Sequence, residues 1–152
     1  GPAAWAERRD VADKTWDGHD KIVPTRVDGH YSVASGDPDP RGMTVYAADG
    51  KSAGVVTDLW VDRAEHLIRY LEVDTGSRKK GSLLVPMTLA KVVGTRSTGR
   101  SIKVMSITSA QFANVPRTKS ADAVTFLEED RICAYFAGGH LYATRQRTES
   151  VF

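Results

Sequence analysis

The sequence predicts a mainly β protein with α structure added: a small antiparallel β-barrel, preceded by an extended N-terminal arm and followed by a C-terminal helix. Three observations carry this expectation. Residues 43–105 divide into five or six short β-prone runs separated by turn chemistry, the signature of a small barrel or sandwich. Residues 1–42 hold Pro, Gly, Asp and isolated aromatics without a sustained period, and residues 125–139, TFLEEDRICAYFAGG, carry a full set of helix signals. The implied divisions are an arm at 1–42, a barrel at 43–105, and a helix-containing extension at 106–152 packed on the barrel.

Within the arm only AAWAERRDVAD, at 3–13, has a brief helical pattern, and KIVP is its one short apolar run. Trp5 and Trp16 stand in polar surroundings, which suggests docking onto the chain's own body or onto a partner. The barrel runs are MTVYA, AGVVTDLWV, LIRYLEV, SLLVP, MTLAKVV and SIKVM, with turns at ADGK, DRAEH, TGSRKKG and TRSTGR. In 67–73, Leu67, Arg69, Leu71 and Val73 share one strand face and Ile68, Tyr70 and Glu72 the other. Both faces are partly apolar, as in a strand covered on both sides. In the extension, Thr125 and Glu128 form a T-x-x-E capping box, and Glu128, Glu129 and Asp130 suit the positive end of the helix dipole. Ile132, Tyr135 and Phe136 give the helix an apolar face. Gly138-Gly139 is expected to stop it, so that the helix spans about 126–136.

The 41% hydrophobic and 26% charged content of these 152 residues is that of one folding globular domain. Lys and Arg number 21 against 19 Asp and Glu, so no global field points to nucleic acid. The single cysteine, Cys133, leaves no intramolecular disulfide and reads as core filler. No run approaches the ~20 apolar residues of a membrane helix. Nucleophile elbows, paired-cysteine motifs, metalloprotease signatures and phosphate-binding glycine loops are all missing, and His19, His30, His66 and His140 are scattered. Two clusters of carboxylate and imidazole remain, DGHD at 17–20 and DRAEH at 62–66. Such groups can pass protons near neutral pH, although a charged turn in water needs no function at all.

The stretches GDPDPRGMTVYAADGKSAGVVTDLWVDRAEHLIRYLEVD, LLVPMTLAKV and SAQFANVPRTKSADAVTFLEEDRICAYFAGGHLYAT, in this order and spacing, resemble the cytoplasmic part of the H-subunit family of the purple-bacterial photosynthetic reaction centre. The β-rich middle corresponds to the PRC-barrel module. The resemblance implies a subunit without catalytic residues or cofactors of its own. It would cap the L and M subunits, which hold bacteriochlorophyll, bacteriopheophytin, quinone and iron, at the cytoplasmic face of the bacterial photosynthetic inner membrane. It also implies help with proton transfer to the secondary quinone. Glu65 matches a glutamate near that quinone, and His19 a histidine where protons enter. Asp17 stands where some relatives have a second histidine but can still accept and release protons, and Asp20, next to His19, is another group that could stand in for the entry histidine. Asp62, Arg69 and Glu129 match an electrostatic network at the subunit interface. The chain lacks the family's anchor helix, so it reads as a soluble fragment that meets the membrane surface only through the complex, with no nucleic-acid partner. The alternatives are a stand-alone PRC-barrel adaptor binding protein or RNA, and an enzyme using Glu65 and His66 as an acid–base pair.

Overall fold

Residues 52–74 are rich in β-branched and aromatic side chains, and the two-stranded ribbon they form is the spine of the fold. A computed structural model describes residues 9–34 and 36–149. Its strands are β1 (Ile22–Pro24), β2 (Thr44–Tyr46), β3 (Ser52–Asp62), β4 (Leu67–Asp74), β5 (Leu84–Pro86), β6 (Ala90–Thr95) and β7 (Gly99–Val104), and its helix is α1 (Phe126–Glu149). The sheet order is β5-β4-β3-β2-β7-β6. Every pairing is antiparallel except β2 with β7. The long β3 pairs with β4 along one edge and is shared along the other, by β2 near its start and by β1 near its end.

The protein is therefore mainly β with one C-terminal helix among the described residues, but the hydrogen-bonded ring expected of a closed barrel is not seen. No pairing joins β5 to β6. The reason lies in MTLAKVV, which the sequence pattern reads as one strand. Met87–Leu89 instead makes a single 3-10 turn, and this carries the chain from one edge strand to the other.

The core is built from Leu59, Trp60, Leu71, Leu84 and Ile102 on the sheet, with Phe112, Ile132 and Phe136 closing over it. The expected helix face is used as the spacing suggests. Phe136 meets Phe112 edge to face at 6.1 Å, and the Tyr135 hydroxyl donates to the Gln111 carbonyl at 2.6 Å. The capping box also forms: the Glu128 N–H donates to Thr125 Oγ1 at 3.1 Å, and the Thr125 N–H donates to Glu128 Oε1 at 2.9 Å.

Three expectations need correction. Gly138-Gly139 does not stop the helix, which continues to Glu149. A glycine within a helix costs only about 1 kcal/mol relative to alanine, and good helix formers such as Leu141, Ala143, Arg145 and Gln146 come after it. Cys133 is exposed rather than core, because its neighbour Ile132 takes the buried position on the helix. Lastly, residues 9–13 are not helical. They run across the start of α1, where the Phe126 and Leu127 N–H groups donate to the carbonyls of Val11 and Arg9 at 2.9 and 3.1 Å. The arm thus satisfies donors that the first turn of a helix leaves unpaired. Trp5 lies outside the described residues, and Trp16 is 99% exposed.

Gly81 lets the loop that leads into α1 press against the chain just before β5. Its φ is +82°, and a Cβ there would lie 1.7 Å from the Thr118 carbonyl oxygen. Gly81→Ala should destabilise the protein by about 1–3 kcal/mol, seen as a lower urea midpoint with an unchanged slope.

Candidate functional site

The β3–β4 turn begins with Asp62, whose side chain has 0% exposure. Its Oδ1 accepts from the Ala64 and Glu65 N–H groups at 2.9 and 3.0 Å, and its carbonyl accepts from the His66 N–H at 2.8 Å. The turn closes with His66 in the left-handed region, at φ 57°. Such a conformation is costly for a residue other than glycine, and the Asp62 bonds hold it in place. The second oxygen, Oδ2, faces Arg69 at 3.1 Å and Lys21 at 3.6 Å. Burial pushes the Asp62 carboxyl up, but the two amides and the two cations outweigh it and hold the group below its ordinary value. Asp62 is therefore the anchor of the turn, a role its place in a charged motif does not announce.

Arg69 also pairs through Nη2 with Glu65 at 3.1 Å, so one guanidinium links the buried carboxylate to an outward one. Glu65 remains 54% exposed. On the inner side of this pair is a cleft of about 610 Å³ lined by Asp62, Arg69, Tyr70, Glu129, Lys21 and Cys133, among others. Tyr70, from β4, donates its hydroxyl to Glu129 Oε1 at 2.7 Å. Burial raises the Glu129 carboxyl above its ordinary range, Asp13 adds to this, and the Tyr70, Arg69 and Lys21 contributions only partly oppose it. Burial likewise pushes the Tyr70 hydroxyl up.

On the outer side of the same turn lies a second depression, of about 380 Å³. It is lined by Thr15, Trp16, Asp17 and His19 from the arm and by Arg63, Ala64 and His66 from the turn. His19 Nε2 is 3.9 Å from Asp17 Oδ2, with both side chains largely in solvent. A hydrogen bond from Thr15 holds the Asp17 carboxyl below its usual range. Asp20 pairs with Lys14, and its carbonyl accepts from Arg63 Nε at 2.9 Å, which staples the arm to the turn.

The structure thus gathers all seven sequence-predicted residues around one hairpin tip. Asp62, Arg69 and Glu129 line the inner cleft, Asp17 and His19 line the outer one, Glu65 stands on the rim through its pair with Arg69, and Asp20 secures the arm. Sequence reasoning missed Tyr70, Lys21 and Arg63, the groups that orient the others. Lys21 comes directly after DGHD and Arg63 lies within DRAEH, so the proximity of cations to both acidic clusters was the available signal. Among the described residues no three His, Cys, Asp or Glu side chains are placed to hold a metal, and no helix is long and apolar enough to cross a membrane.

Compared with known families, residues 33–111 match the one described as PRC-barrel domain. The matched stretch includes the hairpin tip, while Asp17, His19, Asp20 and Glu129 lie outside it.

These environments set two expected outcomes. Asp62→Ala should cost about 2–4 kcal/mol, since it strips partners from two cations and two amides. Because the folded carboxyl titrates below its ordinary value of 3.8, its contribution is complete above that pH and is lost as pH falls through the folded value. The gap between native and variant stability should therefore narrow in acid unfolding experiments. Glu129 has the opposite sign. Its raised folded value means that ionising it costs stability as pH rises above its ordinary 4.5. Glu129→Gln, which still accepts from Tyr70, should melt higher than the native protein at neutral pH and lose that advantage below the ordinary glutamate range.

Proposed function

The chain belongs to the PRC-barrel family, and from that premise we propose that it is the cytoplasmic domain of a reaction-centre H subunit. In this role it binds no pigment, caps the L and M subunits, stabilises their quinone region and assists proton delivery to the secondary quinone. The observation that carries this reading is the convergence of DGHD, DRAEH and Glu129 on one end of the molecule, beside the fully exposed Trp16. Part of this convergence anchors the arm and the turn, through Asp62, Lys21, Asp20 and Arg63; a proton path along a subunit boundary gives a use to the exposed Asp17, His19 and Glu65 left beside those anchors.

In this reading each group has a separate task. His19 and Asp17, in solvent, exchange protons with water. Glu65 on the rim takes up a proton and releases it towards the partner, and Arg69 fixes its position while Asp62 keeps Arg69 in place. Glu129, with its raised proton affinity, supplies a reserve in the inner cleft. The quinone itself would be held by the partner subunits and supplies the acceptor for electrons and protons. A second reading, an adaptor binding protein or RNA, draws on the family match, which extends over the β-rich middle with only the end of the arm and none of the helix.

Glu65→Gln keeps the side chain's shape but cannot exchange a proton near neutral pH. In a reassembled reaction centre it should slow the proton-coupled second electron transfer to the quinone on the order of tenfold or more, leaving primary charge separation unchanged. His19→Ala should have a milder effect that added imidazole reverses. Flash-induced absorbance and proton uptake across pH measure both. Wild-type kinetics for Glu65→Gln over the whole pH range would end the relay reading, and failure of the chain to join L and M at all would favour the adaptor.

A further inference from the structure

Charge is distributed very unevenly along the chain. Residues 75–121 contain nine of the Lys and Arg side chains and no Asp or Glu. Elsewhere five cations, Lys14, Lys21, Arg26, Arg41 and Arg69, meet carboxylates. By contrast, Lys91, Arg96, Arg100 and Lys103, all on β6, β7 and the turn between them, are exposed and have no ion pair among the described residues. Lys91 and Lys103 sit directly opposite one another in the β6–β7 register. Like charges in that arrangement weaken a sheet. A lysine on the edge strand β6 serves to deter unwanted strand pairing, but β7 is an interior strand, so that explanation does not extend to Lys103 or Arg100.

Lys103 lies beside Tyr46 in the β2–β7 register, and β2 also brings Thr44 level with Val55 of β3. Tyr46 and Val55 are both exposed large side chains. The result is one outward face with a pair of lysines, a tyrosine and a valine, with Arg96 in the turn at its end; Arg100 alternates onto the Ile102 side but is exposed where β7 begins. Strand directions also relate this face to the candidate site. β6 runs parallel in direction to β3, and β7 to β4, so the β6–β7 turn and the Asp62–His66 turn point towards the same end of the sheet. By register, the β3–β4 hairpin extends further in that direction than the basic turn.

We propose that this outward face of β2, β7 and β6 docks on the anionic headgroup surface of a membrane. Basic side chains supply the attraction, and Tyr46 is the kind of amphipathic ring that settles at such an interface. An anionic surface would also remove the Lys91–Lys103 repulsion. Single-stranded nucleic acid is the less suitable polyanion, because stacking platforms need several aromatic rings and this face presents one. The choice of a lipid surface rests on the proposed function, in which the hairpin tip meets membrane-embedded subunits. A vesicle-binding test contains none of those subunits, so its failure leaves the Glu65 experiment standing.

The chain is sedimented with vesicles of phosphatidylcholine alone and of equimolar phosphatidylcholine and phosphatidylglycerol, at low and raised salt. Binding is expected to the anionic vesicles only, and to weaken with salt. Each basic side chain near the surface is worth roughly fivefold in partitioning, so Lys91→Gln/Arg96→Gln/Arg100→Gln/Lys103→Gln should lose about a hundredfold or more. Arg78→Gln/Lys80→Gln, in the β4–β5 loop at the opposite end of the sheet, should stay within about twofold. Lys91→Gln alone should raise the Tm by relieving the cross-strand pair. No binding to anionic vesicles, an equal loss per charge at Arg78 and Lys80, an unchanged or lower Tm for Lys91→Gln, or tighter binding to single-stranded RNA than to the anionic vesicles would each overturn the proposal.

Discussion

A single buried carboxylate, Asp62, holds together the end of the protein that carries the candidate site. A charge removed from water is tolerated only when its hydrogen-bonding capacity is filled. Asp62 meets that condition with groups from three places: the amides of its own turn, Arg69 from β4 and Lys21 from the arm. The turn's left-handed His66, the position of Glu65 and the seating of the arm all depend on this one set of bonds. They are interdependent, so loss of any partner loosens the others.

The arm has no periodic apolar face, and polar anchors replace one. Arg26 is the second anchor. Its guanidinium reaches Asp58 at 3.1 Å, Glu72 at 2.8 Å and Asp122 at 3.0 Å. Glu72 Oε1 also accepts from Trp60 Nε1 at 3.1 Å and from Ser82 Oγ at 3.2 Å. Burial pushes the Asp58 carboxyl up, yet the Thr25 hydroxyl, the Leu59 and Arg26 amides and the Arg26 charge together hold it below its usual range. Between the two anchors, β1 adds main-chain bonds to β3, and Val11 and Arg9 cap the helix. Polar anchoring of this kind is directional, which gives the arm a defined path that apolar burial alone would leave loose.

These anchors divide the charges of the protein into two groups. Those that are buried and fully bonded, such as Asp62 and Asp58, hold the fold in position. Those left at the surface beside them, such as Glu65 and His19, keep much of their side chains in water while pairing with Arg69 and Asp17. The reading of the protein as a subunit that conducts protons depends on this separation of fixed scaffold from mobile proton carriers. The cations of β6 and β7, which make no ion pair among the described residues, are a third group.

The sequence by itself determined the elements whose causes are local. The apolar run AGVVTDLWV and the alternation in 67–73 marked the central ribbon, turn residues marked the hairpins, and Thr125 with Glu128 fixed the helix start, because each depends on neighbours a few residues away. Helix termination at Gly138-Gly139 was misread because glycine only weakens a helix, and the helix-forming residues beyond the pair carry it onward. The candidate site was legible as two acidic clusters, but not the division of roles within them. Which carboxylate is buried, that Tyr70 meets Glu129 fifty-nine positions away, and that Lys21 and Arg63 tie the arm to the turn were decided only by the tertiary structure. These facts arise from the pairing of β1 with β3 and from the seating of the arm across α1. Nothing in the local chemistry of DGHD or DRAEH distinguishes a carboxylate that will lose all contact with water from one that will keep it, since burial is a property of what packs on top.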